Sequence, residues 1–187
     1  MNLRGRQVTL RAIEPDDLSR LQAWANDPQV QRLLGGWHFP VSRADQQAWL
    51  AGLSCRSNDQ RFAVDADGVG LVGTANLVSI DWKNRTAFHG VMIGDAEHRG
   101  RGLGRDTIMA VMRHAFDELD LALLDTDIIE YNTASLKVHV EHCGWQVQGI
   151  KRGWYHREGR RWDKLILGID AARYREWAAR HRYWDGA

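Results

Sequence analysis

Cysteine is scarce in this chain of 187 residues: Cys55 and Cys143 stand far apart, with no CxxC pair and no cluster at metal-ligand spacing. That excludes a disulfide framework and a structural zinc site, and leaves the expectation of two reduced thiols in a cytoplasmic protein that holds no metal. Charge of one sign is lacking too. Lys and Arg number 25 against 24 Asp and Glu, a formal net charge of +1, without the basic excess of a nucleic-acid binder. No window approaches the ~18 uncharged apolar residues of a membrane span. Met1-Asn2-Leu3-Arg4-Gly5-Arg6 runs into polar sequence without the apolar core of a secretory signal. Neither nucleic acid nor membrane is therefore an expected partner. Internal repeats, low-complexity tracts and linkers are absent, so residues 1–187 read as one domain.

What is present is ordinary globular composition, 44% hydrophobic and 26% charged, with an unusual nine Trp. Val8 to Ala12 reads as a short strand. Glu14-Pro15-Asp16-Asp17 opens a helix that carries Leu18, Leu21 and Trp24 on one face and ends near Asn26-Asp27-Pro28. Ser42-Arg43-Ala44-Asp45 resembles a capping box before a helix with Ala48, Trp49 and Leu53. The centre changes character. Arg61 to Asp65, Gly70 to Ile80 and Thr86 to Ile93 are strand-like runs joined by turn chemistry, an antiparallel meander. From Gly104 the period becomes helical, with Ile108, Val111, Met112, Ala115 and Leu119 on one stripe. Leu123 to Ile129 is strand-like, Thr133 to His142 helical with Gly144 as its stop, and Gln146 to Trp154 and Trp162 to Ile169 are strands. Residues 171–187 read as a helical tail. The class is mixed α/β with a mostly antiparallel sheet.

The chemistry concentrates in Arg99-Gly100-Arg101-Gly102-Leu103-Gly104-Arg105, between a strand and an amphipathic helix. A glycine-rich turn there leaves backbone N–H groups pointing outward at the positive end of the helix dipole, which makes an anion site. Arg99, Arg101 and Arg105 add charge suited to a pyrophosphate. No Gly-Lys-Ser/Thr ending marks a nucleotide-hydrolase loop. The mid-chain position after a meander excludes a Rossmann fingerprint.

This segment resembles the pyrophosphate motif of the GNAT N-acetyltransferases, Gln/Arg-x-x-Gly-x-Gly/Ala. Asn132-Thr133-Ala134-Ser135 and Cys143-Gly144-Trp145 resemble the family's second block. Asp81 to Ala87, Gly149 and Asp163 are similar to the RimJ/RimL-like branch, which acetylates ribosomal proteins. The resemblance runs from about Val8 to Ile169. It implies a GNAT fold: a mixed, mostly antiparallel seven-stranded sheet, about four helices, and splayed central strands. It also implies acetyl-CoA as cosubstrate, with cofactor contacts at Met92, Ile93, Gly94, the loop Arg99, Gly100, Arg101, Gly102, Leu103, Gly104 and Arg105, and Asn132.

Acetyl transfer needs a proton donor for the departing thiolate and an acceptor for the ammonium proton. The tyrosine that serves as donor in much of the family is replaced here by Val140, and the resemblance implies Ser135 instead. His89, on the fourth strand and with an ordinary pKa near 6.5, is the candidate base. The acceptor pocket implied by the family falls on residues 35–40 and 154–162, giving Trp37, His38 and Tyr155 as substrate contacts, with Asp127 and Glu130 beside the splay. Aromatic walls with acids nearby suit a small cationic amine such as an aminoglycoside-like antibiotic. The alternatives are a peptide N-terminus and an inactive acetyl-CoA-binding module. The Trp-rich tail is a candidate homodimer contact.

Overall fold

The computed structural model describes residues 2–36 and 39–186. Eight strands form one sheet: β1 (Leu3–Arg4), β2 (Val8–Arg11), β3 (Gln60–Ala66), β4 (Gly70–Asp81), β5 (Thr86–Ile93), β6 (Leu123–Ile129), β7 (Gln146–Arg157) and β8 (Arg160–Asp170). Their spatial order is β1-β2-β3-β4-β5-β6-β8-β7. Every neighbouring pair is antiparallel except β5 and β6. The helices are α1 (Leu18–Ala25), α2 (Pro28–Leu33), α3 (Arg43–Ala51), α4 (Leu103–Arg113), α5 (Thr133–Cys143) and α6 (Ala171–Arg180).

Eight strands and six α-helices among the described residues correct the expected seven and about four. The extra strand, β1, is two residues long and pairs Leu3 with Leu10 and Arg4 with Thr9, too short to show a period. The extra helix α2 begins where the sequence suggested a stop. Asp27 caps it by accepting from the Gln29 N–H at 2.8 Å, and Pro28 fills the first helical position, where its missing donor costs nothing. The stripe read from Ile108 to Leu119 covers α4 and one π-helical turn, His114–Glu118, which follows it.

Strand alternation puts neighbouring residues on opposite faces. Ala63 and Leu71 join Ile13, Leu21, Trp24 and Val30 in a small core beneath α1–α3. Val64 and Val72 join Ile108, Met112, Leu124, Trp145 and Leu167 in a larger core on the other face, beneath α4, α5 and α6. The parallel pairing is brief. Thr86, Ala87 and Phe88 sit opposite Leu123, Leu124 and Asp125, and no β5–β6 pairs follow. Beyond that point β5 stays on β4 to the Gly73–Ile93 pair, and β6 stays on β8 to the Ile129–Lys164 pair. The central strands therefore part and open a cleft between them.

One buried carboxylate fastens the N-terminal segment to the first turn of α4. Asp106 is 1% exposed. Its Oδ1 accepts from the Arg6 N–H at 2.9 Å and the Tyr183 hydroxyl at 2.7 Å, and its Oδ2 from the N–H groups of Gln7 at 2.6 Å and Val8 at 3.0 Å. Orphaning three backbone donors is costly, whereas losing the phenol removes one partner only. Asp106→Ala should lower the urea unfolding free energy by about 3 kcal/mol or more, and Tyr183→Phe by about 1 kcal/mol. Equal, small losses would show that the carboxylate is not the anchor.

Candidate active site

A cavity of about 1130 Å³ occupies the parting of β5 and β6. β5 forms one wall from Phe88 to Ile93 and β6 another from Thr126 to Ile129. Gly100, Gly102, Gly104 and Arg105 form one end, and Leu33 to Gly36 with Trp154 and Tyr155 the other.

Gly102 stands at φ 85°, in the left-handed region that favours glycine, and is the N-cap of α4 without any side-chain cap. The first intrahelical bond is that of the Asp106 N–H to Gly102 C=O at 3.0 Å, so the N–H groups of Leu103, Gly104 and Arg105 have no partner within the helix. A Cβ on Gly100 would meet nothing within 4 Å. The turn is an open cradle of backbone donors. The arginines differ in what they do there. Arg99 folds back on the end of β5, its Nε donating to Ile93 C=O at 3.0 Å and its Nη2 to Gly94 C=O at 2.9 Å. Arg101 is exposed and outside the cavity wall, while Arg105 lines it with its guanidinium over the rings of Trp177 and Tyr183. Leu103 contributes backbone only, since its side chain belongs to the core.

On β5 the three expected contacts separate. Gly94 N–H donates to Val72 C=O at 2.9 Å, towards β4. Alternation turns the Met92 backbone the same way, and turns Val91 and Ile93 into the cleft. The Met92 and Gly94 backbones therefore pair with β4 and those of Val91 and Ile93 face the parting, while Met92 still lines the cavity. Gly94 has another constraint: a Cβ there would collide with the Trp24 indole, whose Nε1 donates to Asp95 at 2.8 Å.

Asn132 caps α5 by accepting from the Ser135 N–H at 3.2 Å, and its Nδ2 donates to Leu33 C=O at 3.2 Å, joining α5 to the end of α2. Ser135 lines the cavity. Four residues along the same helix face stands His139, whose Nδ1 lies 2.8 Å from Ser135 C=O and 3.4 Å from Ser135 Oγ. A carbonyl only accepts, so Nδ1 carries the hydrogen and the serine hydroxyl keeps its own proton to donate.

His89 is fully buried beneath the cleft, with Nδ1 3.2 Å from Asn76 C=O. Burial, then the neighbouring His139, pushes its pKa down to about 3. Burial likewise holds His139 at about 4. The two rings and Trp145 form a triangle with centroid separations of 5.3–6.0 Å. A general base needs a pKa near neutrality, and these surroundings hold His89 well below it.

At the acceptor end Tyr155 is buried, and its hydroxyl donates to Asp127 Oδ1 at 2.8 Å. Asp127 and burial together raise the phenol's pKa, burial most. A Cβ on Gly35 would stand 2.5 Å from the Tyr155 oxygen, so any larger residue in the loop after α2 would displace the Tyr155 ring from its place beside Asp127. Asp127 lines the cavity; Glu130 does not, and its N–H donates to Asp163 C=O at 3.1 Å. Trp37 and His38 lie outside the described residues. The sequence reading missed His139, Val91 and Lys164. Helical i+4 spacing from Ser135 and strand alternation from Ile93 were signals for the first two.

A family described as "Acetyltransferase (GNAT) domain" matches residues 7–146. A probable N-acetyltransferase of Bacillus subtilis, YjcK, is 32% identical over 182 residues, covering 89% of this chain and 96% of the relative. The spermidine N(1)-acetyltransferase of Vibrio cholerae is 26% identical over 90% of this chain and 95% of its own length. A crystal structure of spermidine N-acetyltransferase from the same organism, in complex with CoA and spermine, superposes with a TM-score of 0.82 at 23% identity, covering 90% of this chain and 98% of that one. That likeness concerns the fold.

With folded pKa values of about 3 and 4 against about 6.5 unfolded, His89 and His139 are neutral in the native state while the unfolded chain takes up protons first. Their contribution is whole above about pH 6.5 and falls as the pH drops towards 4, by up to about 1.4 kcal/mol per pH unit for each histidine. Histidine ring resonances followed by NMR should show both rings unchanged between about pH 5 and 9. Midpoints near 6.5 would mean that the floor is wet.

Proposed function

The chain belongs to the acetyltransferase (GNAT) domain family and is an acetyl-CoA-dependent acyltransferase, and we propose that it acetylates the primary amine of a small cationic acceptor. The observation that carries this is the parting of β5 and β6, which ends at the uncapped glycine turn of α4. The residues present fit acetyl-CoA. Outward N–H groups at Leu103 to Arg105 suit its diphosphate, and the cleft-facing backbone of Val91 and Ile93 suits an extended, amide-bearing arm that adds to a strand.

Acetyl-CoA supplies a thioester carbonyl open to attack by a neutral amine. Ile93 turns its N–H into the cleft, where it can stabilise charge developing on an acyl oxygen. Ser135, with an uncommitted hydroxyl proton, is the donor for a thiolate. Asp127, beside Tyr155 and Trp154, is the sole carboxylate in the wall among the described residues and attracts the acceptor's charge. The named substrate of the Vibrio cholerae relative, spermidine, belongs to the cationic class, as do aminoglycoside-like antibiotics. The features that resembled the ribosomal-protein branch have local duties: Asp81 accepts from the Asn84 N–H at 2.9 Å, and Asp163 from the Gly153 N–H at 2.8 Å.

Release of CoA should depend on added amine. Ser135→Ala should lower kcat roughly 10²-fold while leaving the KM for acetyl-CoA nearly unchanged. Gly104→Asp puts a carboxylate into the cradle at a helix start that tolerates acids, where a Cβ meets Ile93 at an ordinary 3.8 Å. Calorimetry should find acetyl-CoA bound at least about 100-fold more weakly, with folding intact, because an anion already occupies the site. Turnover of peptide N-termini with none of diamines would replace the small-amine reading.

A further inference from the structure

The walls of the cleft carry Arg61, Arg99, Arg105, Lys137 and Lys164 against Asp127 alone, among the described residues. Asp127 is already engaged. Its Oδ2 lies 2.5 Å from Lys164 Nζ, and its Oδ1 accepts from the Tyr155 hydroxyl at 2.8 Å. Lys164 Nζ stands 5.4 Å from the centre of the Trp154 ring and 5.7 Å from that of Tyr155. The lysine side chain is 16% exposed and the aspartate's 22%, so the pair is largely out of water.

A carboxylate with two aromatic rings beside it is a set of groups that recognises an organic ammonium. Here it holds one that the chain itself supplies. Lysine ends in a primary alkylammonium, the same group that a diamine presents. A four-carbon stem rooted in β8 can release it without moving the backbone. A second ammonium brought next to Lys164 in this partly dehydrated place would be repelled, so one must leave as the other arrives.

We propose that Asp127, Tyr155 and Trp154 form an ammonium subsite for the acceptor's non-reacting end, and that Lys164 fills it until a dicationic amine displaces it. The proposal rests on the cationic-acceptor reading above. Lys164 is then a specificity determinant: it handicaps dications, and an amine with one charge never meets the handicap. A pair with only a structural duty would instead cost stability when broken, without discriminating between amines.

The experiment compares 1,5-diaminopentane with pentylamine as acceptors, and measures diamine binding by calorimetry as well as turnover. In Lys164→Gln, diamine Kd and KM should both fall about tenfold while the KM values for pentylamine and acetyl-CoA change little. Asp127→Asn should weaken the diamine about tenfold and erase its advantage over pentylamine. Lys164→Arg, which keeps the charge, should behave as the wild type. The double variant Asp127→Asn with Lys164→Gln, which buries no unpaired charge, should show no preference and guards against misfolding of the single variants. Parallel shifts for both amines, or a diamine Kd unmoved by Lys164→Gln, would overturn the subsite. Selective tightening of the diamine without acetylation of any amine would keep the subsite and remove the acceptor reading; acetylation of both amines without selective shifts would do the reverse.

Discussion

Everything that makes this chain a candidate catalyst depends on a sheet whose middle comes undone. β5 and β6 pair over three residues and then separate, although each remains paired along its outer side. Backbone groups in a sheet interior are normally satisfied by the next strand. Those of Val91 and the N–H of Ile93 instead face a cleft, in the middle of the sheet rather than at its edge, while Arg99 takes the Ile93 carbonyl. The cleft is floored by His89, His139 and Trp145, large rings that fill the space under the opening. A ligand lying there like a strand meets donors and acceptors already oriented, which lowers the entropy lost on binding.

The exit of β5 from the sheet is equally constrained. Gly94 lets the Trp24 ring lie on the chain, and Asp95 receives both the indole N–H and the guanidinium of Arg20. Arg99 then ties the carbonyls of Ile93 and Gly94, and Asp106 holds the first turn of α4 against the N-terminal segment and Tyr183. The glycine turn itself is bare backbone. Its shape comes from side chains that point away from it, the division of labour expected where positions must hold to within about 0.5 Å. The tail takes part in this anchoring. Tyr183 bonds Asp106, and Trp184 lies 3.9 Å from the Arg113 guanidinium, so these aromatic groups are used within the chain.

Much of this could be read from the sequence, and the remainder could not for definite reasons. β6 and the meander were legible because turn residues separate β-rich runs, and the cradle because glycines crowd between a strand and an apolar stripe. A periodic pattern reports which face is buried, but not which edge of a strand carries the next hydrogen-bonded neighbour. Val91 was therefore not legible as a backbone facing the cleft. Arg99 has the same sequence context as a phosphate ligand, and only the return of the chain past Ile93 reveals that its Nε and Nη2 also tie the carbonyls of Ile93 and Gly94. His89 reads as a titrating histidine until 0% exposure makes it a neutral core group. Asp127 and Lys164 are 37 positions apart in number, and it is the β6–β8 register that brings them together.

The charge arrangement bears on how an amine is made reactive in a cleft whose described residues offer no strong base. At a pKa of about 3, holding a proton on His89 at neutral pH would cost several kcal/mol, more than a useful base can concede. Yet the same surroundings act on the substrate. A partly dehydrated cleft with surplus cations disfavours the charged form of any amine placed in it and lowers its pKa. The reacting end of the acceptor is pushed towards its neutral, nucleophilic form. A distant ammonium on the same molecule needs a carboxylate, and the wall provides one at Asp127. On the proposed reading, Asp127 would keep one end of a diamine charged for binding, while the cation-rich remainder of the wall would favour the neutral form of the other.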